Sequence, residues 1–324
     1  MPTTPRPNSP VPMRRLAILA TVALAAIALA VLTAWWLGRL PEFDDSAAFA
    51  HLEKQVAFGP RVPGSDDHTE CGDWLVSTLQ GYADRVHQQE IAFSDRRDSS
   101  RVWNGRNIVA AFNLAPRRNF RVLLCAHWDS RPWADRDPDS TRHDDPVPGA
   151  NDGASGVAVL LEMARILKEH PLDFGVDIVL FDLEDIGDYG AAPDSDSLNP
   201  FSIGAREFVD RLPRYRPAFG ILVDMVGDAD LRLPREGFSW SRASRVVQQV
   251  WAAADDAGAP AFVAESGDPV IDDHVPFLEK GIPVINIIDF DYPYWHTIED
   301  TPDKCSPESL GQVGRTLVQT LYTY

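Results

Sequence analysis

Arg121-Val-Leu-Leu-Cys-Ala126 is an apolar run that ends in His127-Trp-Asp-Ser130. After an irregular loop comes Gly149-Ala-Asn-Asp-Gly-Ala-Ser-Gly156, and then a second apolar run, Val176-Asp-Ile-Val-Leu-Phe181, ending in Asp182-Leu-Glu-Asp185. The two runs read as buried strands, and the Gly/Ala/Ser segment between them opens a helical pattern. Polar residues just past such strands lie where open α/β sheets build their sites. Farther along, Gly220-Ile-Leu-Val223 ends in Asp224, and His296 lies within Tyr294-Trp-His-Thr297. One imidazole and several carboxylates converging from different strand ends suit a divalent metal, zinc above all.

Around this stretch the pattern repeats. Apolar spacing predicts helices over 46–58 and 68–82, then strands near 86–93, 107–112 and 121–126. A helix over 153–169, a strand over 176–182, a helix over 202–211, a strand over 219–226 and a helix over 239–257 follow. The chain closes with a short helix at 275–279, a strand over 283–288 and a last helix from Ser306. Such alternation predicts an α/β domain, a single globular unit with a mostly parallel central sheet covered by helices.

Composition limits the function. The chain of 324 residues has a net charge of −18, which argues against nucleic acid, since a phosphate-binding surface needs clustered Lys and Arg. That acidity is compatible with a positively charged substrate such as a peptide amino terminus. Leu16–Gly38 is almost uninterruptedly apolar, with Arg14 and Arg15 before it and Trp35, Trp36 and Arg39 flanking its end. It is long enough to span a bilayer. A cleaved signal peptide, ending near Ala28-Leu-Ala30, is the rival reading. The expected organisation is a cytoplasmic tail over 1–15, a transmembrane signal anchor over 16–38, a linker over 39–45 and a catalytic domain over 46–324. That domain would be periplasmic or extracellular. Cys71, Cys125 and Cys305 form no CxxC pattern and leave one possible disulfide unassigned.

Each candidate site residue also has a plain structural reading. His127 after a strand is, by itself, more often structural than a ligand. Asp152 before a helix is by default a cap, although Gly149, Gly153 and Gly156 would let a backbone approach a ligand closely. Glu184 and Asp185 are adjacent carboxylates that repel unless something positive lies between or beside them. One can ligate a metal while the other works as general acid and base. The competing reading is a solvated acidic loop, because Asp188, Asp194 and Asp196 follow. Asp224 and Asp272 could each be a loop or cap residue, and His296 a satisfied surface histidine walled by Trp295.

Taken together the motifs resemble a known family. His127-Trp-Asp-Ser, Asn151-Asp-Gly-Ala-Ser-Gly156, Glu184-Asp185, Asp224-Met-Val-Gly227 and His296-Thr297 are similar to the zinc-dependent M28-type exopeptidases, which include two-zinc aminopeptidases. Asp272-Asp-His-Val-Pro-Phe277, Tyr294-Trp-His-Thr297 and His127-Trp-Asp-Ser-Arg-Pro-Trp-Ala-Asp135 resemble the glutaminyl-peptide cyclotransferases, in the manner of membrane-anchored bacterial members. The resemblance implies one zinc held by Asp152, Asp185 and His296, with Glu184 as general base and acid. It implies Asp224 and Asp272 as an acidic pair beside Glu184, and Trp295 as a wall for the substrate side chain. The implied reaction converts an N-terminal glutamine of a peptide or protein to pyroglutamate with loss of ammonia. The alternative is an aminopeptidase with two zinc ions, in which His127 and Asp224 join the ligands and Asp152 bridges. Three positions depart from the animal cyclases: Asp185 in place of a glutamate, no tryptophan near 196–198, and Asn286 in place of a histidine.

Overall fold

Strands β3 (Arg121–His127) and β4 (Gly175–Phe181) carry almost nothing but apolar residues, and nearly every one is buried. A strand apolar on both faces belongs in the interior of a parallel sheet covered on both sides. That is where they lie in the computed structural model, which describes residues 39–95, 100–187, 201–212 and 214–324. The central sheet has six strands in the order β1-β2-β4-β3-β5-β8, with β1 (Arg85–Ser94), β2 (Val102–Phe112), β5 (Gly220–Asp224) and β8 (Val284–Ile288). Strands β4, β3, β5 and β8 are parallel.

The sheet is mostly parallel, as expected from sequence, with an antiparallel pair of strands at one edge. Strands β1 and β2 form an antiparallel hairpin, and β2 runs antiparallel to β4. The physical reason is connection length, since a short link permits a hairpin and a parallel pair needs a crossover. A second, two-stranded parallel sheet, β6 (Leu233–Arg235) with β7 (Phe262–Ser266), has no counterpart in the sequence reading. These strands are too short to carry a periodic signal.

Helices α1 (Asp45–Val56), α2 (Asp66–Gln80), α3 (Ala154–Glu169), α5 (Gly237–Ala257) and α7 (Pro307–Tyr322) pack with one face of the sheet in the larger core. Helices α4 (Ile203–Arg211) and α6 (Val275–Glu279) contribute to the smaller core on the other face. The period-two alternation of β3 sorts its residues accordingly: Val122, Leu124 and Ala126 join the larger core, Leu123 and Cys125 the smaller. Helix α3 is apolar nearly all round and buried over most of its length, as a helix enclosed by sheet and neighbouring helices must be. It lies so close to β5 that a Cβ on Gly156 would fall 2.1 Å from the Val223 carbonyl oxygen.

Glu42–Tyr324 forms one compact unit. Phe43 is buried in its core, and α1 begins under an Asp44 cap that accepts the Ala47 N–H at 2.9 Å. All three cysteines are buried and unpaired, so no disulfide joins them. The apolar segment 16–38 lies outside the described residues. Among the described residues no helix is long and apolar enough to cross a membrane.

Candidate active site

Four parallel strands end at one edge of the sheet, and the loops beyond that edge carry the polar residues. His127 is the last residue of β3 and Asp224 the last of β5, while Glu184 and Asp185 lie in the turn just past β4. Asp152 precedes α3, where Gly153 takes a φ of +96° that only glycine adopts readily. A side chain there would also strike the Asp129 carbonyl, 2.5 Å from its Cβ. His296 arrives from the loop between β8 and α7.

The structure brings these groups into two overlapping sets that share Asp152. In the first, His296 Nε2 is 3.3 Å from Asp185 Oδ1 and 3.7 Å from Asp152 Oδ2. In the second, His127 Nε2 lies 3.1 Å from both Asp152 Oδ1 and Asp224 Oδ1. All five side chains are buried. Burial alone would push the His127 imidazole down, but the carboxylates of Asp224, Asp129 and Asp152 outweigh it and hold it well above its ordinary value. Burial would likewise raise Asp185, yet His296 and Arg131 keep its carboxyl below the usual range. Asp185 Oδ2 is buried without a hydrogen-bond partner, whereas Oδ1 accepts from Arg131 Nη1 at 2.9 Å. A buried, unsatisfied carboxylate oxygen is costly. With the imidazole of His296 and the carboxylate of Asp152 beside it, the Asp185 carboxylate fits a divalent cation with nitrogen and oxygen ligands.

Glu184 belongs to a third group. Its carboxylate lies close to those of Asp272 and Asp273, with ligand atoms of the three within 4.8 Å of one another. Glu184 Oε1 accepts from Ser202 Oγ at 3.1 Å. Burial, reinforced by the charges of Asp272 and Asp273, pushes the Glu184 carboxyl well above its ordinary value. Asp272 is raised to about 7 by burial and then by Asp224. A cation beside Glu184 would pull it back down. Asp224 and Asp272 feel each other's charge, but their hydrogen bonds go elsewhere. Asp224 bonds to His127, and Asp272 Oδ2 accepts from Asn286 Nδ2 at 2.6 Å.

Asp152, Glu184, Asp185, Asp224, Asp272 and His296 line a narrow cleft with apolar walls that include Met225, Phe290 and Trp295. Trp295 packs its ring against that of His296, with centroids 3.9 Å apart. The expected gap left by a missing tryptophan near 196–198 lies outside the described residues, and Phe201 lines the cleft next to that segment.

Several residues that build the site escaped the sequence reading as individuals. Asp129 accepts the N–H groups of Glu184 and Asp185, both at 3.2 Å, and so fixes the turn that presents them. Arg131 is fully buried and bridges Asp185 to Asp135, which lies 3.3 Å from His296 Nδ1. Asp300 accepts from the backbones of Asn151 and Asp152 at 2.8 and 3.1 Å and from Tyr292 Oη at 2.8 Å. Left-handed backbone marks the same places: Leu183, Ser202, Met225 and His296 all have positive φ. Non-glycine residues held there store strain, which collects at functional sites. For Asp129 the signal in the sequence was its place two residues after His127. For Asp300 there was none.

A model of peptidase family M28 matches residues 107–321. The aminopeptidase YwaD of Bacillus subtilis is 31% identical over 222 residues, covering 62% of this chain but only 40% of its own length. A glutaminyl-peptide cyclotransferase-like protein of Mus musculus is 25% identical over 89% of this chain and 80% of its own. The crystal structure of a glutaminyl cyclase from Bacteroides thetaiotaomicron superposes with a TM-score of 0.82 at 35% identity, covering 88% of this chain and all of that one.

Proposed function

The chain belongs to peptidase family M28, and from that membership we propose that it is a zinc-dependent glutaminyl-peptide cyclotransferase. The observation that carries this reading is the trio of buried carboxyls, Glu184, Asp272 and Asp273, beside the metal-type ligand set. Carboxyls this close cannot all ionise cheaply, so the trio retains exchangeable protons. Cyclisation needs such a store, because one proton must leave the substrate amine and one must reach the departing nitrogen. The likeness to bacterial glutaminyl cyclases over most of the chain supports the same choice.

Asp152, Asp185 and His296 would hold the zinc, which supplies a Lewis acid for the carbonyl of the substrate side chain. The glutamine side chain enters the cleft against Trp295, bringing its carboxamide next to its own neutral α-amine. The amine nitrogen attacks the carboxamide carbon, forming the ring C–N bond, and Glu184 accepts the proton it loses. Glu184 then returns a proton to the carboxamide nitrogen, the C–N bond to that nitrogen breaks, and ammonia leaves. The attack is intramolecular, so holding the substrate in the folded pose lowers much of the barrier. Asp272, steadied by Asn286, keeps a partner carboxyl near Glu184 through both transfers.

A second reading has its own observation. His127 and Asp224 complete a second ligand set around Asp152, the arrangement a two-zinc aminopeptidase would use, with Glu184 activating water. The experiment is elemental analysis of the purified protein together with an assay on a glutaminyl peptide. One zinc and ammonia release support the cyclotransferase. Two metals and release of the free first residue overturn it in favour of the peptidase. We further place the domain on the outer side of a membrane, tethered by residues 16–38. Protease digestion of spheroplasts with an intact inner membrane tests this, and a domain cleaved only after that membrane is lysed would refute it.

A further inference from the structure

Beside the cleft runs a second groove along the β6–β7 sheet. The two cavities are contiguous in the simplest sense, since Val270, Ile288 and Phe290 are walls of both. The ridge between them is apolar and open. Phe290 is 39% exposed and neighbouring Ile271 is 50% exposed, an unusual pair to leave in water at the mouth of a polar site.

With the substrate's first residue seated at the metal-side cleft, the rest of its chain leaves across the rim. An extended peptide advances roughly 3.3 Å per residue. A substrate whose first residue fills the cleft therefore lays its second residue on the Phe290 ridge and its third in the groove beyond. Charge in that groove selects the partner. Asp268 and Asp291 line it as exposed carboxylates, and Glu236 is a third acid in its wall. The one cation, Arg232, is already ion-paired with Glu265, and its backbone N–H donates to Asp289. Glu236 is bound by the Phe238, Ser239 and Val270 N–H groups and by His274, so the exposed acids of the groove are Asp268 and Asp291, the latter also within the field of Arg232.

Resting on the reading of the cleft as the seat of the substrate's first residue, we infer that this groove is a downstream subsite for a basic side chain at the third position. Asp268 and Asp291 are its specificity-determining residues. Neither belongs to the catalytic or metal-binding set.

The test uses the zinc-loaded protein with Gln-Ala, which is too short to reach the groove, and with Gln-Ala-Xaa-Ala, where Xaa is Lys, Ala or Glu. The expected kcat/KM for Lys exceeds that for Glu by about threefold to tenfold at low ionic strength, the size that one or two exposed charge pairs deliver, and the ratio shrinks in high salt. In D268N/D291N the ratio falls to near one, while turnover of Gln-Ala stays unchanged. Equal rates for the three tetrapeptides, or a Lys preference that survives the double substitution, overturn the inference. If these peptides release free glutamine instead of ammonia, the proposed reaction is wrong. The Lys-to-Glu ratio measured on that hydrolysis then decides the subsite on its own.

Discussion

Replacing Glu184 with glutamine separates the roles of the carboxyl trio from those of the ligand set. The substitution is nearly isosteric, so the Ser202 hydroxyl keeps an acceptor at the position of Oε1, 3.1 Å away. What disappears is a group able to take and return a proton. Positioned general acid–base catalysis contributes about 10²–10⁴ in rate, or about 3–5 kcal/mol of barrier at 1.36 kcal/mol per decade. In the proposed reaction Glu184 serves both transfers, so the expected loss in kcat lies toward the upper end. Stability should move the other way. Burial and the neighbouring Asp272 and Asp273 disfavour the charged carboxylate, and a neutral amide removes that repulsion. The E184Q protein should therefore bind zinc as the parent does, unfold at the same or a higher temperature, and release ammonia at least a hundredfold more slowly. Elemental analysis, thermal unfolding and an ammonia assay on one preparation read all three. Near-normal turnover would refute the assignment of Glu184 as the proton carrier. Loss of zinc would show that it is a ligand.

Three other outcomes follow from the same coordinates. His296→Ala should lower zinc content and ammonia release together, and undiminished zinc would remove His296 from the ligand set. Gly156→Ala places a Cβ 2.1 Å from a β5 carbonyl, a backbone clash that α3 relieves only by shifting. Denaturant unfolding should show a loss of about 1–3 kcal/mol, and a change below about 0.5 kcal/mol, the scatter of surface substitutions, would contradict the packing described. For pH, burial would raise Glu236, but His274 and the Ser239 hydroxyl and N–H outweigh it and hold the carboxyl at about 2, below its ordinary 4.5. A depressed carboxyl stabilises the fold fully above its unfolded value and loses that contribution as pH falls from about 4.5 toward 2. Stability measured against pH should accordingly fall less steeply over that window in E236Q than in the parent, and parallel curves would refute the pairing.

Much of the arrangement was legible in the chain because it rests on short-range rules. Apolar runs that end in polar residues marked β3, β4 and β5 and pointed to His127, Glu184, Asp185 and Asp224 at their ends. The Gly-rich entry to α3 marked Asp152. The orientation of β1 and β2 was not legible, since an apolar run has the same period in either direction. Asp300 was hidden for a different reason. In a chain with 48 acidic residues, one more aspartate in a loop looks solvated. Only folding sets it against the amides of Asn151 and Asp152, far away in sequence. Arg131 lay inside a quoted motif, yet its part depends on meeting Asp185, 54 positions on.

The sequence by itself determined the α/β alternation, the family and the identity of the groups delivered to the carboxyl edge of the sheet, because hydrophobic period and motif order are written locally. Tertiary structure decided what those groups face. It made Asp152 common to two ligand sets, turned the hydrogen bond of Asp272 to Asn286 and that of Asp224 to His127, and opened a groove beyond Phe290. Those outcomes depend on distances between strand ends, and such distances exist only once the strands have taken their order in the sheet.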